Sequence, residues 1–170
     1  EISERFEARR ALKESHERLV TILNSIDAHI YVADLETHEI LFMNRSMQDD
    51  FGGDRSGEMC WNVFRGASEP CHDCTSDRLV DEKGHPTAAH VWEGCNPITD
   101  RWYVNYDRAI KWVDGRIVRL QIATDVTESK QAEHTIRERQ RYLESVLWAA
   151  PDAIVTLDPQ NRIVDWNAGA

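Results

Sequence analysis

The segment TILNSIDAHIYVADLETHEILFMN, residues 21–44, reveals the domain organisation because its pattern occurs twice in the chain. The second copy, residues 145–167, reads SVLWAAPDAIVTLDPQNRIVDWN. With one residue deleted from the turn of the second copy, the matching pairs are Leu23 and Leu147, Ile30 and Ile154, Asp34 and Asp158, Ile40 and Ile163, and Asn44 and Asn167. Each copy is typical of a helix end followed by a strand, a turn and a second strand.

The repeat predicts one complete domain followed by the start of a second. The chain has 170 residues, enough for one full domain and flanking segments. The second copy stops at Ala170, and the first residues, EISERFEARR, contain neither a signal peptide nor a starting methionine. We therefore expect an excised piece of a longer protein, with these parts: an N-terminal coiled-coil helix at 1–25, a complete domain at 26–126, a helical linker at 127–149 and a truncated second domain at 150–170.

The complete domain begins with two predicted strands, HIYVADL and ILFMN, and continues with short helical segments. RSMQDDFGG, SGEMCWNVF and CTSDRLVDEKG predict these helices, the last one closed by Gly84. Three strands follow, TAAHVWEGCN, RWYVNYDRAIKWV and GRIVRLQIATDV, and VDGR predicts a hairpin turn between the last two. This order predicts an α+β fold with a five-stranded antiparallel sheet and short helices on one face.

Long amphipathic helices are predicted on both sides of this domain. Apolar residues recur every seven positions, and they are Leu12, Leu19 and Ile26 before the domain and Ile136, Leu143 and Ala150 after it. Such a period favours a parallel two-stranded coiled coil and hence a homodimer through the flanking helices. The alternative is that each helix packs alone on its own domain.

Composition narrows the possible partners. The net charge of −10 argues against nucleic-acid binding, which needs a basic surface, and against binding to an anionic membrane surface. No apolar run approaches the ~20 residues of a membrane-spanning helix. Four cysteines in a chain of 170 residues do not form a disulfide framework, so we expect a reducing compartment and a cytoplasmic protein.

Together with ATDVTESKQAE at residues 123–133, the order of these elements resembles a PAS sensory domain followed by a signalling helix. The resemblance covers about residues 19–133, and the repeat resembles the opening of a second PAS domain. It implies a small ligand or cofactor held between the inner sheet face and the helices. It also implies a signal that passes along flanking coiled coils to an effector, such as a histidine kinase or a diguanylate cyclase.

The sequence shows no catalytic site of its own, because it contains no kinase motif, no P-loop and no nucleophile–base arrangement. We therefore expect a sensory module that detects a small ligand or the redox state. Two alternatives stay open. The domain is a ligand-free module for dimerisation and scaffolding, or the chain is a fragment of a histidine kinase or diguanylate cyclase whose catalytic domain is missing.

The cysteines form the pattern C-x10-C-x2-C at Cys60, Cys71 and Cys74. Thiolates at such spacing suit zinc or an iron–sulfur cluster. The pattern is similar to that of some oxygen-sensing PAS domains, in which two C-x-x-C pairs hold an iron–sulfur centre. In this sequence, Cys60 alone stands in place of the first pair. The candidates for a fourth ligand are Cys95, His72 and His90. A reversible disulfide between Cys71 and Cys74, and plain packing of small thiols, remain alternatives.

Flavin and haem are less favoured cofactors. GEMCWNVFRG stands where blue-light PAS domains carry G-x-N-C-R-F-L-Q, but Met59, Trp61 and Phe64 replace the residues that hold flavin. Some PAS domains ligate haem through a histidine on the long helix, and the predicted helix TSDRLVDEKG contains no histidine.

Aromatic residues are frequent in the last three strands, where most are expected to be core. For the wall of a pocket, the candidates are Trp92, Asn105 and Tyr106. Strand alternation directs Asn105 and Tyr106 to opposite faces, so a regular strand admits only one of them. Both are kept as candidates because strand register is uncertain by a residue from sequence alone.

Overall fold

The computed structural model describes residues 2–170, and the side chains of residue 7 and residues 9–170. The chain divides into two compact units, the first ending at Val126 and the second comprising Thr127–Ala170. The elements of the first unit are α1 (Ile2–Ser25), β1 (His29–Asp34), β2 (Ile40–Met43), α2 (Arg45–Asp50), α3 (Cys60–Arg65), a 3-10 helix (Thr75–Arg78), β3 (His90–Asn96), β4 (Arg101–Lys111) and β5 (Ile117–Asp125). Within residues 2–170, no helix is long and apolar enough to cross a membrane.

The five strands form one sheet in the order β2-β1-β5-β4-β3, and every neighbouring pair is antiparallel. This confirms the predicted α+β fold with a five-stranded antiparallel sheet. Side chains alternate between the two faces, so Tyr103, Asn105 and Asp107 of β4 are buried while Tyr106 between them is exposed. Tyr31 pairs with Gln121 across β1 and β5, and both are buried.

The helices α2 and α3 bring apolar side chains onto the inner face of the sheet. Met47 and Phe51 from the α2 region and Phe64 from α3 are buried in one cluster with Tyr31 and Met43. The Phe64 ring lies 4.6 Å from the Tyr31 ring, measured between centroids. Burial of each such side chain contributes about 1.5–3 kcal/mol, which fixes the short helices over the sheet.

The helix predicted over CTSDRLVDEKG is wrong beyond Arg78, because only Thr75–Arg78 form a single 3-10 segment. The Asp81 carboxylate accepts the backbone N–H groups of Lys83 and His85, at 2.9 and 2.8 Å. These bonds replace the helical ones, as Asp side chains do in turns. They also lower the pKa of Asp81, with the His85 N–H as the largest cause. Gly84 has φ +78°, which turns the chain back.

The second unit contains α4 (Thr127–Ala149) and an antiparallel hairpin of β6 (Val155–Leu157) and β7 (Ile163–Trp166). Its hairpin repeats the hydrogen bonds of β1 and β2. Asn44 Oδ1 accepts the Ile30 N–H at 3.0 Å, and Asn167 Oδ1 accepts the Ile154 N–H at 2.8 Å. The residues that match in sequence therefore make equivalent contacts. Large apolar side chains of β6 and β7 are exposed, and they are Val155, Leu157, Ile163, Val164 and Trp166.

Candidate ligand cavity and cysteine cluster

A cavity of about 80 Å³ lies between the inner face of the sheet and the segments that cover it. The sheet contributes residues of β1, β3, β4 and β5, and the cover consists of α2, α3 and the loop that leads into the 3-10 helix. The residues of the sheet that line it are His29, Tyr31, Trp92, Gly94, Asn96, Tyr103, Asn105, Arg119, Gln121 and Ala123. The cover includes Cys60, Trp61, Phe64, Cys71, Cys74 and Thr75.

A buried ion pair between Asp107 and Arg119 forms the charged part of this site. Asp107 is fully buried and Arg119 nearly so, and Nη2 of Arg119 donates to both carboxylate oxygens at 3.1 and 3.2 Å. The same carboxylate accepts the Thr75 hydroxyl and the Trp92 indole N–H, each at 2.7 Å. The 3-10 helix and three strands therefore meet at one acidic side chain.

The indole of Trp92 reaches Asp107 because the next inward position of β3 is Gly94. A Cβ atom added at Gly94 would lie 2.7 Å from the Trp92 ring. Any larger residue at this position would displace the ring and its bond to Asp107.

Amide and phenol groups continue this hydrogen-bond network along the sheet. The polar floor of the cavity consists of Tyr31, Asn105, Arg119 and Gln121. The Tyr31 hydroxyl donates to Gln121 Oε1 at 2.7 Å, and Nη2 of Arg119 donates to the same oxygen. Gln121 in turn donates to Asn105, whose amide donates to the Tyr103 carbonyl. Among the described residues, no buried side-chain nitrogen or oxygen lacks a hydrogen-bond partner. The floor is therefore a closed network, which orders these side chains before any ligand binds.

Burial determines the charge states of the floor. Burial raises the pKa of Tyr31 far above its usual range, so the phenol stays neutral. Burial alone would lower the pKa of Arg119, but the negative charge of the Asp107 carboxylate raises it above its ordinary value. Arg119 is therefore a permanent cation inside the fold.

Three of the four cysteines line the cavity. Cys60 is buried in α3, and burial raises the pKa of its thiol to about 11. Cys71 and Cys74 lie in the loop, half-buried and unpaired. Nη1 of Arg119 donates to Cys74 Sγ at 3.9 Å, so the buried cation contacts one thiol directly.

The fourth cysteine, Cys95, does not line the cavity. Its neighbours Gly94 and Asn96 line the cavity, so strand alternation turns Cys95 away from it. Its sulfur instead lies 3.9 Å from Asp100 Oδ1. Among residue 7 and residues 9–170, whose side chains are described, no three His, Cys, Asp or Glu side chains are grouped so that they could hold a metal ion. The predicted metal cluster therefore remains a prediction that this geometry does not favour.

Two of the three predicted pocket residues line the cavity, Trp92 and Asn105, and the third does not. Tyr106 lies on the opposite face of the sheet, where it pairs with Val91 and Ile122 across the neighbouring strands. The regular alternation of β4 decides this, because Asn105 and Asp107 both point inward.

Sequence reasoning missed Arg119, Gln121, Asp107 and Thr75. The sequence contained a pattern that could have indicated Arg119 and Gln121. In IVRLQIATD, alternation places Arg119 and Gln121 on the face of the small residue Ala123, opposite the apolar Leu120 and Ile122. A strand with polar residues on one face and apolar residues on the other indicates either a solvated face or a polar pocket.

A second cleft, of about 440 Å³, shares the walls His29, Tyr103 and Ala123 with the cavity. Here Nε2 of the buried His29 lies 3.1 Å from Asp50 Oδ2, and Arg101 binds the same oxygen at 3.2 Å. Burial lowers the pKa of His29, although Asp50 opposes that shift. His29, which lines both the cavity and the cleft, is therefore neutral at physiological pH.

Solved structures share this arrangement of strands and helices. The PAS domain of an HTR-like protein from Haloarcula marismortui is 19% identical, with a TM-score of 0.55, over 70% of this chain and 98% of that one. The fold is that of a PAS domain. An RNA-binding light-oxygen-voltage receptor matches with a TM-score of 0.50 and 15% identity, over 74% of this chain and 37% of that one. No protein-family model matches the sequence, and no curated protein matches it significantly.

The PAS cavity does not fit flavin or haem. At about 80 Å³ it is far below the roughly 300–1,000 Å³ of pockets that hold molecules of such size. Phe64 lines the cavity and also packs in the apolar core, against the rings of Tyr31 and Phe51.

Proposed function

We propose that this PAS domain is a sensory module that responds to a small ligand or to the redox state. The observation that carries the proposal is the cavity, because it joins an ordered polar floor to three thiols at the centre of the fold. The buried Arg119 and Asp107 are costly to bury as ions, and such groups are retained where specificity or function requires them.

The ligand is small and polar. A cavity of about 80 Å³ exceeds the ~10–15 Å³ that one water needs, but it is smaller than the ~150 Å³ cavity that accommodates benzene. Because the floor is already hydrogen-bonded, the ligand would add to the network at Arg119 or Tyr31, or exchange with one of its bonds.

The signal leaves through β5 and α4. Arg119, Gln121 and Ala123 lie on β5, which ends at Asp125, and α4 begins at Thr127. A ligand that moves the inner face of β5 therefore acts on the strand that continues into the helix. We propose that residues 127–149 serve as a signalling helix between the PAS domain at 26–126 and a second PAS domain that starts at 150–170.

We further propose that the flanking helices form a homodimer. Leu12 and Leu19 of α1 are 72% and 60% exposed, and Ile136 and Leu143 of α4 are 67% and 51% exposed. Side chains of this size at a seven-residue period favour a partner helix. The effector would be a domain outside residues 1–170, such as a histidine kinase or a diguanylate cyclase domain.

The second candidate function is dimerisation and scaffolding without a ligand. It is favoured by one observation, that the polar floor leaves no buried side-chain atom unsatisfied in the described part of the chain. A domain that needs no ligand to complete its hydrogen bonds is stable when empty.

Native mass spectrometry with metal analysis, on protein purified without oxygen, tests these candidates. We expect a bound small molecule, or a redox-dependent mass, on the native protein. Ala123→Leu fills the cavity and should abolish binding, whereas Ala109→Leu is a matched control in the same buried face but outside the cavity. If the protein carries neither ligand nor metal and its mass is independent of redox conditions, the scaffolding function is favoured.

A further inference from the structure

The three cavity cysteines differ in their surroundings. Cys60 is 8% exposed and packs in the apolar core, whereas Cys71 and Cys74 are half-buried in the loop. The Cys74 thiol donates to Ser76 Oγ at 3.2 Å and accepts from Arg119. A guanidinium beside a sulfur stabilises the negative charge that the sulfur carries as a nucleophile. Cys74 is thus the cavity thiol whose surroundings suit attack on an electrophile.

The backbone brings a second thiol, that of Cys71, close to Cys74. Cys71 and Cys74 are the first and last residues of a tight turn, in which the Cys74 N–H donates to the Cys71 carbonyl at 3.2 Å. Such a turn keeps its end Cα atoms within about 7 Å, and a disulfide needs about 4.4–6.8 Å. A disulfide between the two residues therefore requires little movement of the backbone.

We propose that Cys71 and Cys74 form a thiol switch that small hydroperoxides oxidise, with Cys74 as the attacking sulfur. This proposal rests on the proposed sensory function, in the form in which the domain responds to the redox state. It specifies the oxidant and the two cysteines that react. The cavity of about 80 Å³ beside Cys74 has room for hydrogen peroxide but not for a bulky disulfide or an aryl peroxide, so we expect it to favour the small reagent.

The chemistry consumes one peroxide and two thiols. The Cys74 sulfur attacks one peroxide oxygen, an S–O bond forms and the O–O bond breaks, and the leaving hydroxide takes the thiol proton and becomes water. Cys74 is then a sulfenic acid, oxidised by two electrons. The Cys71 sulfur attacks it, the S–S bond forms, the S–O bond breaks, and the hydroxide leaves as water with the proton of Cys71. A dithiol reductant reverses the switch.

Oxidation would change the contacts that Cys74 and Thr75 make with the sheet. Thr75, next to Cys74, donates to Asp107, and Arg119 binds both that carboxylate and the Cys74 sulfur. A disulfide takes the Cys74 thiol away from Arg119 and constrains the residue that precedes Thr75. We therefore expect oxidation to loosen Arg119, which lies on β5.

The test uses the reduced full chain treated with hydrogen peroxide, followed by intact-mass analysis and peptide mapping. We expect loss of two hydrogens and a Cys71–Cys74 crosslink, with cumene hydroperoxide at least about tenfold slower. Cys74→Ser should abolish peroxide consumption. Cys71→Ser should stop at a sulfenic acid that dimedone traps, and Cys95→Ser, which changes the cysteine outside the cavity, is the matched control that should react as the native protein does.

Hydrogen exchange in β5 is the second readout. We expect faster exchange after oxidation in the native protein and a smaller change in Thr75→Val, which removes the Asp107 contact but keeps both thiols. The proposal is overturned if no Cys71–Cys74 disulfide forms, if Cys60 is the residue crosslinked, or if Cys74→Ser reacts as fast as the native protein. A bound small molecule in native mass spectrometry, without peroxide oxidation, would reject the switch and leave the sensory function standing.

Discussion

The side-chain amide of Asn44 donates to the backbone carbonyl of Leu23 at 3.2 Å, and thereby ties the end of α1 to the end of β2. Asn44 is fully buried, and the same amide donates to the Ala28 carbonyl at 2.8 Å. The second unit contains the same bond, from Asn167 to the Leu147 carbonyl at 3.0 Å. One asparagine in each copy thus holds a helix end against a hairpin, which gives the sequence repeat a physical cause.

Replacing Asn44 with Ala should destabilise the first unit by about 2–4 kcal/mol. The substitution removes the acceptor for the Ile30 and Met47 N–H groups and leaves buried backbone groups without partners. Denaturant unfolding followed by hydrogen exchange at Ile30 measures the loss. Asn167→Ala is the matched control, because it removes equivalent bonds from the second unit and should leave exchange at Ile30 unchanged. Equal exchange at Ile30 in Asn44→Ala and the native chain would contradict the assigned role.

The second prediction concerns the ion pair of Asp107 and Arg119. Asp107→Asn should cost about 3–5 kcal/mol, because it leaves the buried Arg119 charge uncompensated. The double variant Asp107→Asn, Arg119→Met should recover part of that loss, since it removes both charges.

Urea unfolding of the two single variants and the double variant gives the coupling free energy of the pair. Glu14→Gln on α1 is the control, because its pair with Arg10 is exposed and should be worth less than about 1 kcal/mol. Additive effects of the two buried substitutions would show that the pair contributes no coupling.

The hairpin of β4 and β5 holds the part of this site that the sequence could have predicted, although Asp107, Arg119 and Gln121 were missed. VDGR fixes the turn, and the turn fixes the register, so Asp107 faces Gln121 and Arg119 lies two residues further along the same face. The pairing of the two charges follows from that register. The inward position of Asn105 and the outward position of Tyr106 follow from it as well.

The loop that holds Cys71 and Cys74 was beyond this kind of reasoning. Its turn is closed by one backbone bond, from the Cys74 N–H to the Cys71 carbonyl, and the segment after the 3-10 helix is held by the bonds of Asp81 to Lys83 and His85; such bonds leave no periodic pattern in the sequence. The face on which Cys95 lies likewise depends on where β3 starts, because a shift of one residue turns every side chain over. Spacing grouped Cys60, Cys71 and Cys74, with Cys95 as one candidate for a fourth ligand, and in the fold the first three line one cavity.

His29 should make the stability of the first unit depend on pH. Its folded-state pKa lies below the unfolded value near 6.5, so the unfolded chain binds the proton more readily. The stabilising contribution is complete above pH ~6.5 and is lost as the pH falls below it, with a slope of at most about 1.4 kcal/mol per pH unit. Asp50 and Asp125 oppose the shift and Arg101 adds to it, after burial as the main cause.

Thermal unfolding of the native chain and of His29→Gln between pH ~7.5 and ~5.5 measures this slope. The native chain should lose more stability than the variant over that interval. His134→Gln, which changes an exposed histidine of α4, should follow the native curve. If His29→Gln and the native chain lose stability in parallel, protonation of His29 is not responsible.

The last prediction concerns the exposed stripe of α4. If Leu143 lies at a helix–helix seam, Leu143→Glu places two buried charges at the dimer axis and should weaken dimerisation by about a hundredfold or more. Ser145→Glu adds the same charge about 200° around the helix, outside the stripe, and should leave the dimer nearly unchanged. Analytical ultracentrifugation over a range of concentrations measures both dissociation constants. A native chain that stays monomeric at all concentrations, or equal effects of the two substitutions, would contradict dimerisation through this face of α4.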